Sequence, residues 1–209
     1  MTEPAETLSD PFQVPALSAC LKAGTHSIHE RLDTRIMSLS VFSSRERYAL
    51  FVRTQSRLHH AVARWFENAR LQNWLPELPQ RNRLWAVVED CRDIGLTPEA
   101  LSEDREVAAQ VQILDIYSAL GWLYVVEGSN LGAAFLLKQV KKLDLSETFG
   151  ARHLAANEMG RGLHWRKFKN ALDALELAGE QREAALKGAI AAFAFARQNV
   201  EQLLASPEN

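Results

Sequence analysis

Two stretches of this 209-residue chain put metal-ligating and charged side chains at helical spacing. In the run from Lys22 to His29, a lysine precedes a histidine by seven residues. On a helix that is two turns, about 10 Å along one face. An ammonium and an imidazole at this separation could hold a distant anionic group and the metal centre of one large cofactor. The simpler reading is a half-buried histidine beside a surface lysine. Angle separates His29 from its neighbour His26. Leu17, Leu21, Ile28, Leu32, Ile36 and Leu39 form an apolar stripe. At about 100° per residue, His29 lies about 80° from the stripe centre, at its rim, and His26 about 140° away, toward solvent.

Gln55 and His59 stand one turn apart in the middle of a second stripe made by Tyr48, Phe51, Val52, Val62 and Phe66. Buried polar groups without partners cost about 1–3 kcal/mol each. The pair is therefore either satisfied by a carbonyl and one buried water, or lines a pocket of ordered water. A third oddity is the run Gly121 to Phe135, in which Gly121, Gly128 and Gly132 share one helix face. Each mid-helix glycine costs about 1 kcal/mol relative to alanine. Either a close helix crossing repays that cost, or the helix kinks and its bare backbone approaches a flat ligand. Spacing alone leaves both open.

Other helical metal chemistry is excluded. None of the six histidines has a glutamate three residues before it, so the di-iron bundle motif is absent. No H-E-x-x-H, phosphate-binding loop or nucleophile elbow occurs.

The elements that must position these residues are helices. After Pro98 the next proline is Pro207, leaving 108 residues without one, and proline is excluded from helix interiors. The patterns predict helices over 16–39, over 43–71 with a capping box at Ser43 to Glu46, and over 81–94, ended by Gly95. They further predict a short helix over 98–103, a long apolar segment over 105–143, a loop over 146–160, and helices over 161–177 and 180–204. The fold class is all-α, with a flexible arm over residues 1–15 and one domain over 16–205.

Composition bounds the function. A net charge of −2 and a pI near 6.3 provide no global field for nucleic acid or an anionic membrane. Cys20 and Cys91 form no C-x-x-C pair and read as small buried side chains. The first residues lack the regions of a signal peptide, and the longest apolar runs reach about half a bilayer span. A cytoplasmic protein is expected.

Three segments carry a resemblance. GWLYVVEGSNLGAAFL from Gly121, FGARHLA from Phe149 and LHWRKF from Leu163 resemble the bacterial haem (heme) oxygenases, in particular those of pseudomonads and neisseriae. The similarity runs from about Leu17 to about Leu204. It implies a multi-helical fold with haem b, both substrate and cofactor, held between a proximal helix and a kinked, glycine-containing distal helix. His29 matches the proximal iron ligand. Gly128 and Gly132 match the distal glycines whose backbone lies over the haem, so that activated dioxygen attacks the porphyrin itself. Gln55 and His59 resemble anchors of the water network that delivers protons. Lys22 and Tyr124 match contacts of the haem propionates in members that cleave at the α-meso carbon, and Phe193 resembles a residue at the haem edge. Relatives that seat the haem rotated carry lysines where this chain has Met37 and Gln139.

The resemblance thus implies biliverdin IXα, carbon monoxide and ferrous iron as products. Electrons would come from a donor such as a ferredoxin or flavin reductase, and the product would serve a haem-uptake system or a bacteriophytochrome. Gly121 is expected to serve packing, Gly150, Gly160 and Gly162 to punctuate loops, and His60, His153 and His164 to be structural. The rivals are a non-catalytic haem carrier and a thiaminase-like enzyme of the same fold, which would need an activated cysteine.

Overall fold

The computed structural model describes residues 15–205; most of the N-terminal arm lies outside them. Eight α-helices are present among the described residues: α1 Leu17–Ser38, α2 Arg45–Phe66, α3 Ala69–Trp74, α4 Leu84–Asp93, α5 Pro98–Ala109, α6 Ile116–Val140, α7 Arg161–Asp173 and α8 Gly179–Leu204. Strand-like pairing among the described residues is limited to isolated bridges from Ser146 to Phe149 and to Gly150.

Helix boundaries depart from the expected ones where a single side chain caps the backbone. Ser44, not Ser43, starts α2, accepting from the Arg47 N–H at 3.2 Å. The helix ends at Phe66 instead of residue 71, because Asn68 turns extended and caps α3 through the Leu71 N–H. The segment expected as one apolar helix from residue 105 is divided. Helix α5 runs on to Ala109, and Asp115 then opens α6 by accepting from the N–H groups of Tyr117 and Ser118, both at 2.8 Å.

Helix α6 is the core element. Ala119 to Leu123 and Val125 to Glu127 make up its buried stretch, interrupted only by the half-buried Tyr124. By length and hydropathy the stretch Ile116–Leu143 could cross a membrane, but 56% of its most apolar window is buried within the fold. Helix α8 crosses α6 backbone to backbone. A Cβ on Gly121 would lie 1.9 Å from the Ala185 carbonyl oxygen, and one on Gly188 would lie 2.1 Å from that of Ser118. Gly121 therefore serves packing, and the crossing is centred on Gly121 and Gly188. No such crossing involves Gly128 or Gly132.

Helix α2 packs on α4, α5, α6 and α8. Its buried Arg57 donates to Asp104 of α5 (2.7 Å) and to Asn199 of α8 (3.1 Å). Helix α1 rests on α8 and α7, with the Ser18 N–H and hydroxyl donating to Asp173 at 2.7 and 2.8 Å.

Candidate functional site

A cavity of about 760 Å³, within the usual range for small-molecule sites, is bounded by α1, α2, α6, α7, α8 and the segment His153–Leu154. Every candidate named from the sequence borders it: Lys22 and His29 on α1, Gln55 and His59 on α2, Tyr124, Gly128 and Gly132 on α6, and Phe193 on α8.

On the α1 side, the His29 ring packs against Phe193 at 5.4 Å between centroids, and its Nε2 lies 3.3 Å from the Asp33 carboxylate one turn on. The side chain is 56% exposed, as a rim position dictates, and thus open to a ligand. His26 is turned to solvent, as its angle predicts. His26 also borders the cavity, at its edge, where it is 61% exposed and pairs with Glu30 at 3.3 Å. Both histidines meet the rim because the cavity extends past the edge of the apolar stripe.

On the α6 side, the two glycines answer the question that spacing left open. A Cβ on Gly128 would meet only Trp165, at an ordinary 3.6 Å, and one on Gly132 would meet nothing within 4 Å. No neighbour in the protein requires either to be glycine, so the space they leave belongs to the cavity. The helix runs through both without interruption. Just before Gly128 it is pinned. Buried Glu127 accepts from Arg81 at 2.7 Å, and Arg81 also donates to the His164 carbonyl at the start of α7. Burial raises the Glu127 carboxyl against the pull of Arg81 and Arg83. Burial and Arg81 together depress His164 to about 4. His164 is thus committed to this brace, and His60 bonds back to the Ser56 carbonyl at 2.9 Å.

Helix α2 brings polar groups to an otherwise apolar wall. Gln55 is half-buried and donates to the Thr54 hydroxyl at 3.3 Å. His59 is 3% exposed, and its Nδ1 has no partner in the protein. Burial, reinforced by the nearby Arg83 guanidinium, pushes its pKa down to about 3, so the ring is neutral.

Charge is gathered at one end. Lys22 lies one turn after Ser18 on α1 and Lys169 one turn before Asp173 on α7, and the Ser18–Asp173 clasp joins those helices. Both lysines border the cavity, as does Tyr124, whose hydroxyl is raised by burial and by Asp173. Two ammonium groups and a phenol suit a ligand bearing carboxylates at one edge. Met37 stands fifteen residues beyond Lys22, about 22 Å along α1, and also borders the cavity. Gln139 accepts from Lys142 and is not in the cavity wall.

Among the wall residues not anticipated as site residues are Lys169 and His153. Lys169 follows Trp165 by one turn, a spacing that puts both on one face of α7 once that face is known. His153, expected to be structural, also borders the cavity. It lies in a 3-10 turn, Arg152–Leu154, where no periodicity could have oriented it.

Known proteins give this cavity a context. The heme oxygenase family model matches residues 15–202. The heme oxygenase PigA of Pseudomonas aeruginosa is 41% identical over 170 residues, covering 81% of this chain and 83% of that protein. The solved NO- and CO-bound heme oxygenase from Neisseria meningitidis is 38% identical, with a TM-score of 0.81, covering 94% of this chain and 96% of its own. The heme complex of heme oxygenase-1 from the cyanobacterium Synechocystis, at 16% identity and a TM-score of 0.68 over 90% of this chain and 92% of its own, shares the fold. On the family match and on these identities, the chain belongs to the heme oxygenase family.

Proposed function

We propose that the protein cleaves haem to biliverdin IXα, carbon monoxide and ferrous iron in the cytoplasm, using dioxygen and electrons from a ferredoxin or a flavin reductase. Bound haem supplies the iron at which dioxygen is activated and is itself the molecule oxidised. His29 would hold the haem iron, its ring packed against Phe193. Gly128 and Gly132 would let the macrocycle approach the α6 main chain, since neither carries a side chain into the cavity. Gln55 and His59 hold the water that brings protons. The neutral His59 ring accepts at one nitrogen and donates at the other, as a relay requires. Lys22, Tyr124 and Lys169 bind the propionates.

One observation carries the reading. An exposed imidazole on α1 and two glycines that nothing in the protein requires border the same cavity, with both lysines of its wall near the α1–α7 clasp. That grouping, with Met37 at the far end, favours the α isomer. A thiaminase-like reading lacks its nucleophile. Cys91 is buried and its thiol pushed up to about 12, and neither cysteine borders the cavity. The product would feed iron acquisition beside a haem-uptake system, or supply chromophore to a bacteriophytochrome.

The test is haemin with an electron donor under air. Loss of the Soret band with mainly biliverdin IXα by chromatography is expected. Mainly β or δ isomer would overturn the orientation, and a haem complex that persists under these conditions would mark a carrier.

A further inference from the structure

The 3-10 turn Arg152–Leu154 is held more firmly than a connecting turn requires. Asp90 of α4, fully buried, accepts from the Arg152 N–H (2.8 Å) with one oxygen, and from the His153 N–H (2.8 Å) and ring Nδ1 (2.7 Å) with the other. Arg83, at the start of the same helix, donates to the carbonyls of His153 and Ala155, both at 2.8 Å. Backbone and ring of His153 are thus both fixed. A carboxylate can only accept, so the proton between His153 and Asp90 sits on Nδ1, and the neutral ring keeps its lone pair on Nε2. His153 is 4% exposed and borders the cavity, and Nε2 has no partner in the protein. The same holds for Nδ1 of His59 in the same wall. Bracing the turn needs Nδ1 and the main chain only. An acceptor buried without a donor calls for water.

We infer that His153 is a positioning residue of the cavity water: its Nε2, aimed by Asp90, accepts from a water that is shared with His59. The water then has a fixed orientation, with one hydrogen committed to His153 and its oxygen free to accept. The network proposed for Gln55 and His59 gains a third anchor, reached from α4 through a loop. The inference rests on reading the cavity as the haem chamber, and its test separates the two.

In haem-free protein labelled with nitrogen-15, the imidazole spectrum should show His153 as the Nδ1–H tautomer. The Nε2–H tautomer would overturn the inference whether or not haem binds. In haem-loaded ferric protein, His153→Phe should lower the pH at which iron-bound water loses its proton by about 0.5–1 unit, the worth of one accepting hydrogen bond to the neutral form. His153→Gln, which keeps an acceptor and serves if the Phe variant misfolds, should recover part of that shift. Arg152→Ala loosens the same turn without touching Nε2 and should leave the transition in place. An unmoved or raised transition in His153→Phe, or an equal shift in Arg152→Ala, would reduce His153 to a brace. Failure of the protein to take up haem would defeat the reading of the cavity instead.

Discussion

Gly132→Ala and Gly121→Ala add the same methyl group to the same helix, and the structure assigns them opposite outcomes. At Gly132 the new Cβ meets nothing within 4 Å. The change then acts through helix propensity, a gain of about 0.8–1.0 kcal/mol, and Tm of the haem-free protein rises by about 2–4 °C for a chain of this size. At Gly121 the Cβ falls 1.9 Å from one main-chain atom of α8 and 2.4 Å from another. Main chain cannot rotate away, so the helices must separate. Overpacking costs about 1–3 kcal/mol, and Tm falls by about 2–12 °C. Function divides the other way. The methyl on Gly132 enters the cavity, where the same 1–3 kcal/mol, now charged against the bound substrate, slows haem cleavage by about 5- to 150-fold. Thermal unfolding without haem, and biliverdin formation under one donor, measure the two effects separately. Destabilisation by Gly132→Ala would show that packing requires the glycine after all. Stabilisation with unchanged turnover would show that the bare backbone does not face the substrate.

The buried neutral His59 makes stability depend on pH. Its folded pKa of about 3 lies below an unfolded value near 6.5, so its penalty is absent above pH 6.5 and grows as pH falls toward 3. His59→Phe should flatten the fall in urea-unfolding stability between pH 6 and 4 by about 1.4 kcal/mol per unit; an unchanged slope would contradict the burial argument. Lys22→Ala and Lys169→Ala should each weaken haemin binding about two- to fivefold in titration, the worth of a partly exposed ion pair. Asp104→Ala takes the fully buried carboxylate away from Arg57 and Arg53 and should cost about 3–5 kcal/mol in chemical denaturation, whereas a loss below about 1 kcal/mol would mean that Glu103 and Asn199 suffice for Arg57.

Much of this was legible in the chain because helices impose a period. The proline gap marked the helices after Pro98, the two apolar stripes and the off-pattern Gln55 and His59 led to α1, α2 and the polar wall, and the His29 rim angle led to a cavity edge. The illegible parts lie where no period operates. Asn68 and Asp115 begin new helices through side-chain capping bonds, which a stripe of apolar residues does not register. The glycines were ambiguous because spacing places Gly121, Gly128 and Gly132 on one face, while α8 crosses only at Gly121. His153 sits in a turn whose orientation is set by Asp90, sixty-three residues away. Lys169 becomes a site residue only because the Ser18–Asp173 clasp sets α7 against α1.

The claim that organises the site is that haem iron is held by His29 and not by its neighbour His26, since both border the cavity and both are exposed. Absorption and resonance Raman spectra of haemin-loaded His29→Ala and His26→Ala test it directly. The iron–histidine signature should vanish in His29→Ala, return on adding imidazole, and persist in His26→Ala. Its persistence in His29→Ala, or its loss in His26→Ala, would contradict the account.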